Sequence, residues 1–348
     1  MQFFEESIRE AAACRRPLRL RGGGTKDFYG NEPRGELLDT REYAGIVSYE
    51  PTELVITARC GTGLSAIEAT LASEGQILPF EPPHFGPEAT FGGCIAAGLS
   101  GPRRSSAGAL RDFVLGARIV DGRGRALGFG GQVMKNVAGY DVSRLLAGSL
   151  GTLGLITEAS LKVLPRPAAE LTLRMEMPQE RALEAMQRWA GQPLPLSATA
   201  WHDGELLVRL SGAEPAVRAA AARIGGDALE QTPWAAIREH THPFFGVSPL
   251  WRIAVPPVAS PLELPGAQLL EWGGALRWLA GAGPADAVRD VARRAGGHAT
   301  RFRARDNDDK SRGAFAPLAP AAMRLHRGLK AAFDPSGVLN PGRMYPEL

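Results

Sequence analysis

Three glycine clusters, each beside a strand-like run, constrain this chain more than any other feature of it. The first, "RLRGGGT" at residues 19–25, completes the β-like run "PLRLR". Glycine loses the most backbone entropy on ordering, so three in a row weaken any regular element. Two readings stay open for this stretch alone. It is a plain tight turn, or it is a nest, in which a strand feeding a glycine loop turns successive backbone N–H groups onto an anion. The spacing fits neither a Walker A loop nor a GxGxxG that opens a helix. The second cluster, "ATFGGCIAAGLSG" at 89–101, follows the stiff "PFEPPHFGP", and the third, "KNVAGYDVSRLLAGSLGTLGLIT" at 135–157, ends in a strand. One elongated, phosphate-containing ligand cradled by several loops accounts for all three clusters. Three unrelated turns are the alternative.

Composition bounds the remaining classes. At 348 residues the chain is long enough for about two domains. With 44% hydrophobic and 22% charged residues it has the make-up of an ordinary globular protein. No apolar run approaches the ~18 residues of a membrane span. The start, "MQFFEESIRE", carries acids where a signal peptide carries Lys or Arg, so the cytoplasm is the default compartment. A net charge of +3 is too small to imply nucleic acid. The clearest basic cluster, "RFRARDNDDKSR" at 301–312, is interrupted by Asp and reads as a solvated face or an anion site. Cys14, Cys60 and Cys94 are isolated, which excludes a self-contained four-Cys iron–sulfur or zinc centre and offers no disulfide framework. His240 and His242 form an HxH pair with no third ligand evident, so no metal is assigned.

The chain changes texture near residue 165. Before it, "FFEESIREAAACRR" reads as an amphipathic helix and "GIVSYEPTELVITARCGT" as two strands broken at Glu50-Pro51. "GLSAIEATLASEG" has apolar residues at helical spacing and closes on Gly75. "LRDFVLGARIVDGRGRALGFG" reads as strand, Asp-Gly turn, strand. Beyond it, "LTLRMEM", "PLSATAWH", "ELLVRLSG", "PLWRIAVP", "QLLEWGG" and "ALRWLAG" are strand-like, with Ala-rich helices near 179–191, 213–224 and 284–296. That pattern predicts an antiparallel sheet backed by helices, an α+β unit. A last helix, "LAPAAMRLHRGLKAAF", runs into the Pro/Gly-rich tail "DPSGVLNPGRMYPEL".

Together these stretches carry a resemblance. "RGGGT", "ATFGGCIAAGLSG" and "GYDVSRLLAGSLGTLGLITEASLKVLP" resemble the FAD-binding domain of the vanillyl-alcohol oxidase/p-cresol methylhydroxylase (PCMH) family. The tail "FDPSGVLNPGRM" is similar to the C-terminal signature of its 2-hydroxyacid branch. "MKNVAGYDVSRLLAGSLGTLG", "EWGGALRWL" and "GGHATRFR…FAPL" resemble, more narrowly, the FAD-binding subunits of bacterial glycolate oxidases. The resemblance implies an α+β protein: a two-subdomain PCMH-type FAD-binding domain at 1–165, an antiparallel α+β cap at 166–312, and a segment at 313–348 returning to the FAD domain.

It also implies a cofactor site. The first loop, Arg21, Gly22, Gly23, Gly24 and Thr25, would cradle the FAD pyrophosphate. The second, Ala89, Thr90, Gly92, Gly93, Ala97, Gly98, Ser100 and Gly101, would run along the pyrophosphate and ribityl chain. Gly148, Gly151, Thr152, Gly154 and Ile156 would meet the adenine end, and Asn340 would approach the flavin. Covalent relatives carry a histidine where Thr25 stands, so the FAD is expected to be non-covalent. No catalytic residue is assigned. Tyr140 and Asp141 lie near the flavin or brace the loop. Arg301 and Arg303 alternate on an expected strand and, on one face, would clamp a carboxylate. His240, His242 and His298 fit structural roles better than catalytic ones.

The implied function is FAD-dependent oxidation of a small 2-hydroxy acid, glycolate or D-lactate, to the 2-oxo acid. The chain would work with a catalytic FAD subunit and an iron–sulfur subunit, since it lacks the cysteines to pass electrons on. No nucleic acid and no direct membrane span are expected, with membrane association only through partners. Two alternatives remain: a non-catalytic assembly subunit that keeps the flavin fold, and a self-sufficient flavin oxidase of another small hydroxy acid or alcohol.

Overall fold

The computed structural model describes residues 1–131, 141–281, 283–306 and 313–348. The first helix, Gln2–Cys14, buries Phe4, Ile8 and Ala11, which recur at helical spacing and so share one face. That face packs on Leu18, Leu38, Val120 and Leu155 and on Val338 and Leu339 from the far end of the chain. The strand Leu18–Arg21 pairs in parallel with Glu36–Asp39, and Leu18 bridges Leu339, so the tail joins the first strand. Next to this lies a five-stranded antiparallel sheet. Its order is Ile46–Glu50, Val55–Arg59, Leu155–Lys162, Val114–Val120, Ala126–Gly130. The helix Leu64–Ser73 covers it with Leu64, Ile67 and Leu71 fully buried.

The second glycine cluster departs from the sequence reading. It is a helix, Phe91–Ala97, and not a loop. Thr90 caps it, its hydroxyl accepting the Gly93 N–H at 3.3 Å. The glycines are there for closeness: a Cβ on Gly92 would lie 2.5 Å from the Cys60 Cβ. Helix propensity is lost so that the helix can press against the end of a strand.

The cap is an eight-stranded antiparallel sheet. In order across the sheet its strands are Asp227–Leu229, Ala169–Glu176, Glu205–Gly212, Leu196–His202, Ala267–Glu271, Leu276–Ala280, Leu250–Ala254 and His298–Arg303. Helices Gln179–Ala190 and Glu214–Ile224 cover one half of its outer face, and Ala285–Arg294 the other. The inner face, carrying Ala200, Leu269, Leu276, Trp278 and Phe302, packs on Tyr29, Ala97, Leu99 and Leu150 of the first unit. Polar ties cross the same junction. Arg209 of the cap donates to Glu81 at 3.0 Å, Arg103 donates to Glu170 of the cap at 2.7 Å, and Trp272 Nε1 donates to the Gly101 carbonyl at 3.0 Å.

The helix Pro320–Phe333 then returns the chain to the first unit. Lys330, buried near its end, donates to the Thr152 carbonyl, the Asp334 carboxylate and the Leu339 carbonyl at 2.9, 2.7 and 2.7 Å. Asp334 in turn accepts the Leu339 N–H at 2.8 Å. Among the described residues no helix is long and apolar enough to cross a membrane.

Candidate functional site

The triple glycine resolves into a close approach of two backbones. A Cβ on Gly23 would fall on the Glu88 carbonyl, and one on Gly22 would collide with the Thr90 hydroxyl. Gly24 sits at φ +73°, the left-handed region, with the Arg21 guanidinium where a Cβ would point. The loop therefore lies flat against the 88–90 segment, and a groove opens over both. Two hollows of about 90 and 70 Å3 share Leu20, Arg21, Gly22, Gly93, Leu150 and Asn340, so they form one trough.

The two ends of the trough differ in chemistry. One is cationic: Arg19, Arg21, Lys26 and Arg343 line it, with Asp27 as the sole acidic group in that lining. Asp27 holds Arg19 and Arg21 at 2.5 and 3.0 Å. Lys26 is half-buried, donates to the His84 carbonyl at 3.1 Å, and has its pKa lowered by desolvation. Burial likewise lowers Arg343 to about 10, while its guanidinium donates to the carbonyls of Asn31, Lys26 and Asp27. The other end, lined by Cys60, Gly151, Gly154, Leu155 and Ile156, is mostly apolar. Burial pushes the Cys60 thiol up to about 11, so it stays protonated at neutral pH. A cationic, backbone-floored end joined to an apolar slot suits a dinucleotide: pyrophosphate at the first, a ring at the second.

The sequence-derived residues divide on this trough. Arg21, Gly22, Gly23, Gly24 and Thr25 all line it. So do Thr90, Gly92, Gly93 and Ala97 from the second segment. Gly151, Gly154 and Ile156 line the apolar end. Asn340 is shared by both ends; its Oδ1 accepts the Leu20 N–H at 2.8 Å and its Nδ2 donates to the Leu150 carbonyl at 2.7 Å. Six others lie outside that lining. Ala89 is buried, with its carbonyl accepting from Leu64. Gly98 ends the 91–97 helix at φ +64° against Gly148. Ser100 accepts the Leu110 N–H, and Gly101 meets the cap through Trp272. Thr152 turns its hydroxyl to the Ser149 carbonyl at 2.7 Å. Tyr140, the 135–140 part of the third cluster and residues 307–312 of the basic cluster lie outside the described residues.

Arg19, Lys26 and Arg343 were missed by sequence reasoning. Only the basic residues flanking "GGG" were a readable signal; Arg343 reaches the site through the tail. The pairing of Arg301 with Arg303 also fails. The register against the neighbouring strand shifts between Leu250 and Trp251, opposite Arg303 and Arg301, and this bulge breaks the alternation. Arg301 stacks over the Trp251 ring in the outer core, whereas Arg303 lies over Phe28 and donates to the Phe245 carbonyl at 2.9 Å. His240 stacks flat on Phe245 at 3.9 Å and burial lowers its pKa to about 3. His242 caps a short 3-10 turn, and His298 is exposed at a strand end. Among the described residues no group of three His, Cys, Asp or Glu could hold a metal ion.

A second, smaller cavity of about 20 Å3 lies where the cap meets the 99–102 segment. Arg252, Trp278 and Glu271 reach it from three adjacent strands. Arg252 pairs directly with Trp278 across the ladder, so both side chains leave the same, inner face. Phe85 stands between the two linings: it lines this cavity, and its ring centre is 5.7 Å from Nζ of Lys26, which lines the trough.

Comparison with known proteins agrees with this geometry. Residues 4–130 match the family model described as an FAD binding domain. Two solved alkyldihydroxyacetonephosphate synthase structures share the fold over 97% of this chain and 74% of theirs, at 16% identity and TM-scores of 0.65 and 0.67. Fold and site thus define a flavoprotein of the PCMH type, with FAD as its cofactor. The chain is 51% identical over all 348 residues to the glycolate oxidase subunit GlcE of Escherichia coli K12, spanning 98% of that protein. It belongs to the GlcE family. A D-lactate dehydrogenase of Archaeoglobus fulgidus is 34% identical over 188 residues, 52% of this chain and 41% of that protein. The glycolate oxidase subunit GlcD of Bacillus subtilis is 34% identical over 159 residues, 45% of this chain and 34% of that protein.

Proposed function

We propose that this chain holds FAD non-covalently in the trough and serves as the FAD-binding subunit of a glycolate oxidase-type complex that oxidises glycolate or D-lactate to the 2-oxo acid. The observation that carries the reading is the trough itself, cationic at one end and apolar at the other, in a chain 51% identical to a glycolate oxidase subunit along its whole length. Arg21, Lys26 and the 22–24 backbone would hold the pyrophosphate, with Thr90 beside it. Gly151, Gly154 and Ile156 would bound the adenine end, and Asn340 would fix the tail that closes the trough. FAD, once bound, supplies the two-electron acceptor for a 2-hydroxy acid. Thr25 has a hydroxyl and no imidazole where covalent relatives have histidine, and the Cys60 thiol is held protonated.

Partners follow from the chemistry as much as from the relatives' names. Cys60 and Cys94 are buried and only Cys14 is exposed, so an iron–sulfur subunit would have to carry electrons away. A GlcD-like FAD subunit would complete the complex, in the cytoplasm or on the membrane through its partners. Stopped-flow flavin reduction tests the reading. Glycolate should reduce the flavin of the complex, and omission of this chain should abolish or greatly slow it. Equal reduction without this chain would leave it an assembly subunit.

A further inference from the structure

The cavity under the cap holds charges that the core does not explain. Arg103, Arg209, Arg277 and Arg343 are buried and direct their guanidinium N–H groups to protein acceptors. Arg252 differs: it donates no hydrogen bond to any described residue, and lies over the Trp272 ring at 5.1 Å. A cation that gives up water without gaining a hydrogen-bond partner costs free energy, and Arg252, half-buried and without such a partner among the described residues, faces the cavity. On the inner face beside it, Glu271 Oε1 accepts the Trp278 indole N–H at 2.7 Å. His240 completes the wall, its Nδ1 buried without a partner among the described residues. A space of about 20 Å3 admits a water or two, or one carboxylate head.

We infer that this cavity is the recognition site for the carboxylate of the small 2-hydroxy acid, with Arg252 as its anchor and Glu271 as the group that sets its charge balance. The inference rests on the flavin reading above: Phe85, which lines the cavity, lies beside Lys26 of the trough lining. Two features give selectivity. The guanidinium offers the paired N–H donors that a carboxylate accepts in parallel. The walls Phe85, Trp278, Phe302, Ile237 and Leu99 leave no room for a bulky side chain on the acid.

Glu271 makes the site pH-dependent. Burial raises its pKa to about 7, opposed by Arg252 and by the Trp278 hydrogen bond and reinforced by Glu81. The other charged or titratable groups facing the cavity are Arg238 and His240, and the latter stays neutral. Below that pH Glu271 is neutral and Arg252 is free for an incoming anion. Above it the Glu271 carboxylate competes for Arg252 and repels the ligand.

Calorimetric titration of the FAD-loaded chain with oxalate, a small carboxylate with no hydrogen on carbon to give up, tests this. Wild type should bind it saturably, and R252Q should bind at least about tenfold more weakly, the loss of charged hydrogen bonds, while keeping its visible flavin spectrum. Binding to wild type should weaken as pH rises through about 7, and E271Q, which keeps the bond from Trp278, should remove that dependence. R252Q binding oxalate like wild type, or no binding by wild type, overturns the inference with the flavin reading intact. If R252Q fails to fold, E271Q decides: an unchanged pH dependence overturns it. Wild type without any flavin would instead count against the trough.

Discussion

The lysine that anchors the tail is the sharpest point at which to perturb the fold. Lys330 Nζ makes three hydrogen bonds in the interior, to Thr152, Asp334 and Leu339, and so ties the last helix, the third glycine segment and the tail together. Replacing it with methionine keeps the length of the side chain and removes all three. Two carbonyls lose a donor, and the fully buried Asp334 side chain loses its counter-charge. Breaking a buried pair from one side costs about 3–5 kcal/mol. With an unfolding entropy of about 2.1 cal/mol/K per residue, 348 residues shift by roughly 1.4 °C per kcal/mol, so the melting temperature of K330M should fall by about 4–7 °C. Because Asn340 sits just beyond Leu339 and lines both ends of the trough, FAD affinity should fall with it. Thermal melts followed by circular dichroism, with and without FAD, measure both effects. Arg327→Met, on an exposed turn of the same helix, should stay within about 0.5 kcal/mol of wild type. A K330M protein that melts with wild type would refute the reasoning.

Other expectations follow from single positions. Gly23→Ala puts a methyl on the Glu88 carbonyl, a backbone group that yields only if the two segments part; about 1–3 kcal/mol of stability should go, with a weaker grip on FAD in a flavin-fluorescence titration. Gly246→Ala, where nothing lies within 4 Å, is its control and should melt with wild type. Gly328→Ala in the exposed middle of helix 320–333 also meets nothing and should raise stability by about 0.5–1 kcal/mol in denaturant titration. His240 has its pKa lowered to about 3. The unfolded chain therefore takes up its proton first, and stability that is complete above about 6.5 is lost as pH falls toward 3, at up to about 1.4 kcal/mol per unit. Denaturant midpoints of His240→Phe should decline less steeply than wild type over that window; parallel curves would count against the burial of the neutral ring.

Periodicity made most of the fold readable. Helix 2–14, the broken hairpin at Glu50-Pro51 and the run of cap strands follow directly from apolar spacing and turn residues. What escaped was set by tertiary contact. The 91–97 helix hid behind glycines that exist only because Cys60 approaches from another element. The bulge between Arg301 and Arg303 cannot be seen without the partner strand. In the site, the glycine loops and Asn340 were legible through resemblance, but Arg343 needed the tail's path. Arg252 and Glu271 had left a faint signal: each is a charge set among apolar residues, in "PLWRIAVP" and "QLLEWGG". A lone charge in a strand buried on both faces is worth questioning.

The most direct measurement on the central claim is acid precipitation of the purified chain. The protein should carry the visible spectrum of a flavin, and acid should release FAD, in amounts stoichiometric with the chain, into the supernatant and leave a colourless pellet. Flavin that stays with the precipitated polypeptide would contradict non-covalent binding, and a colourless protein that takes up no added FAD would contradict the trough as its site.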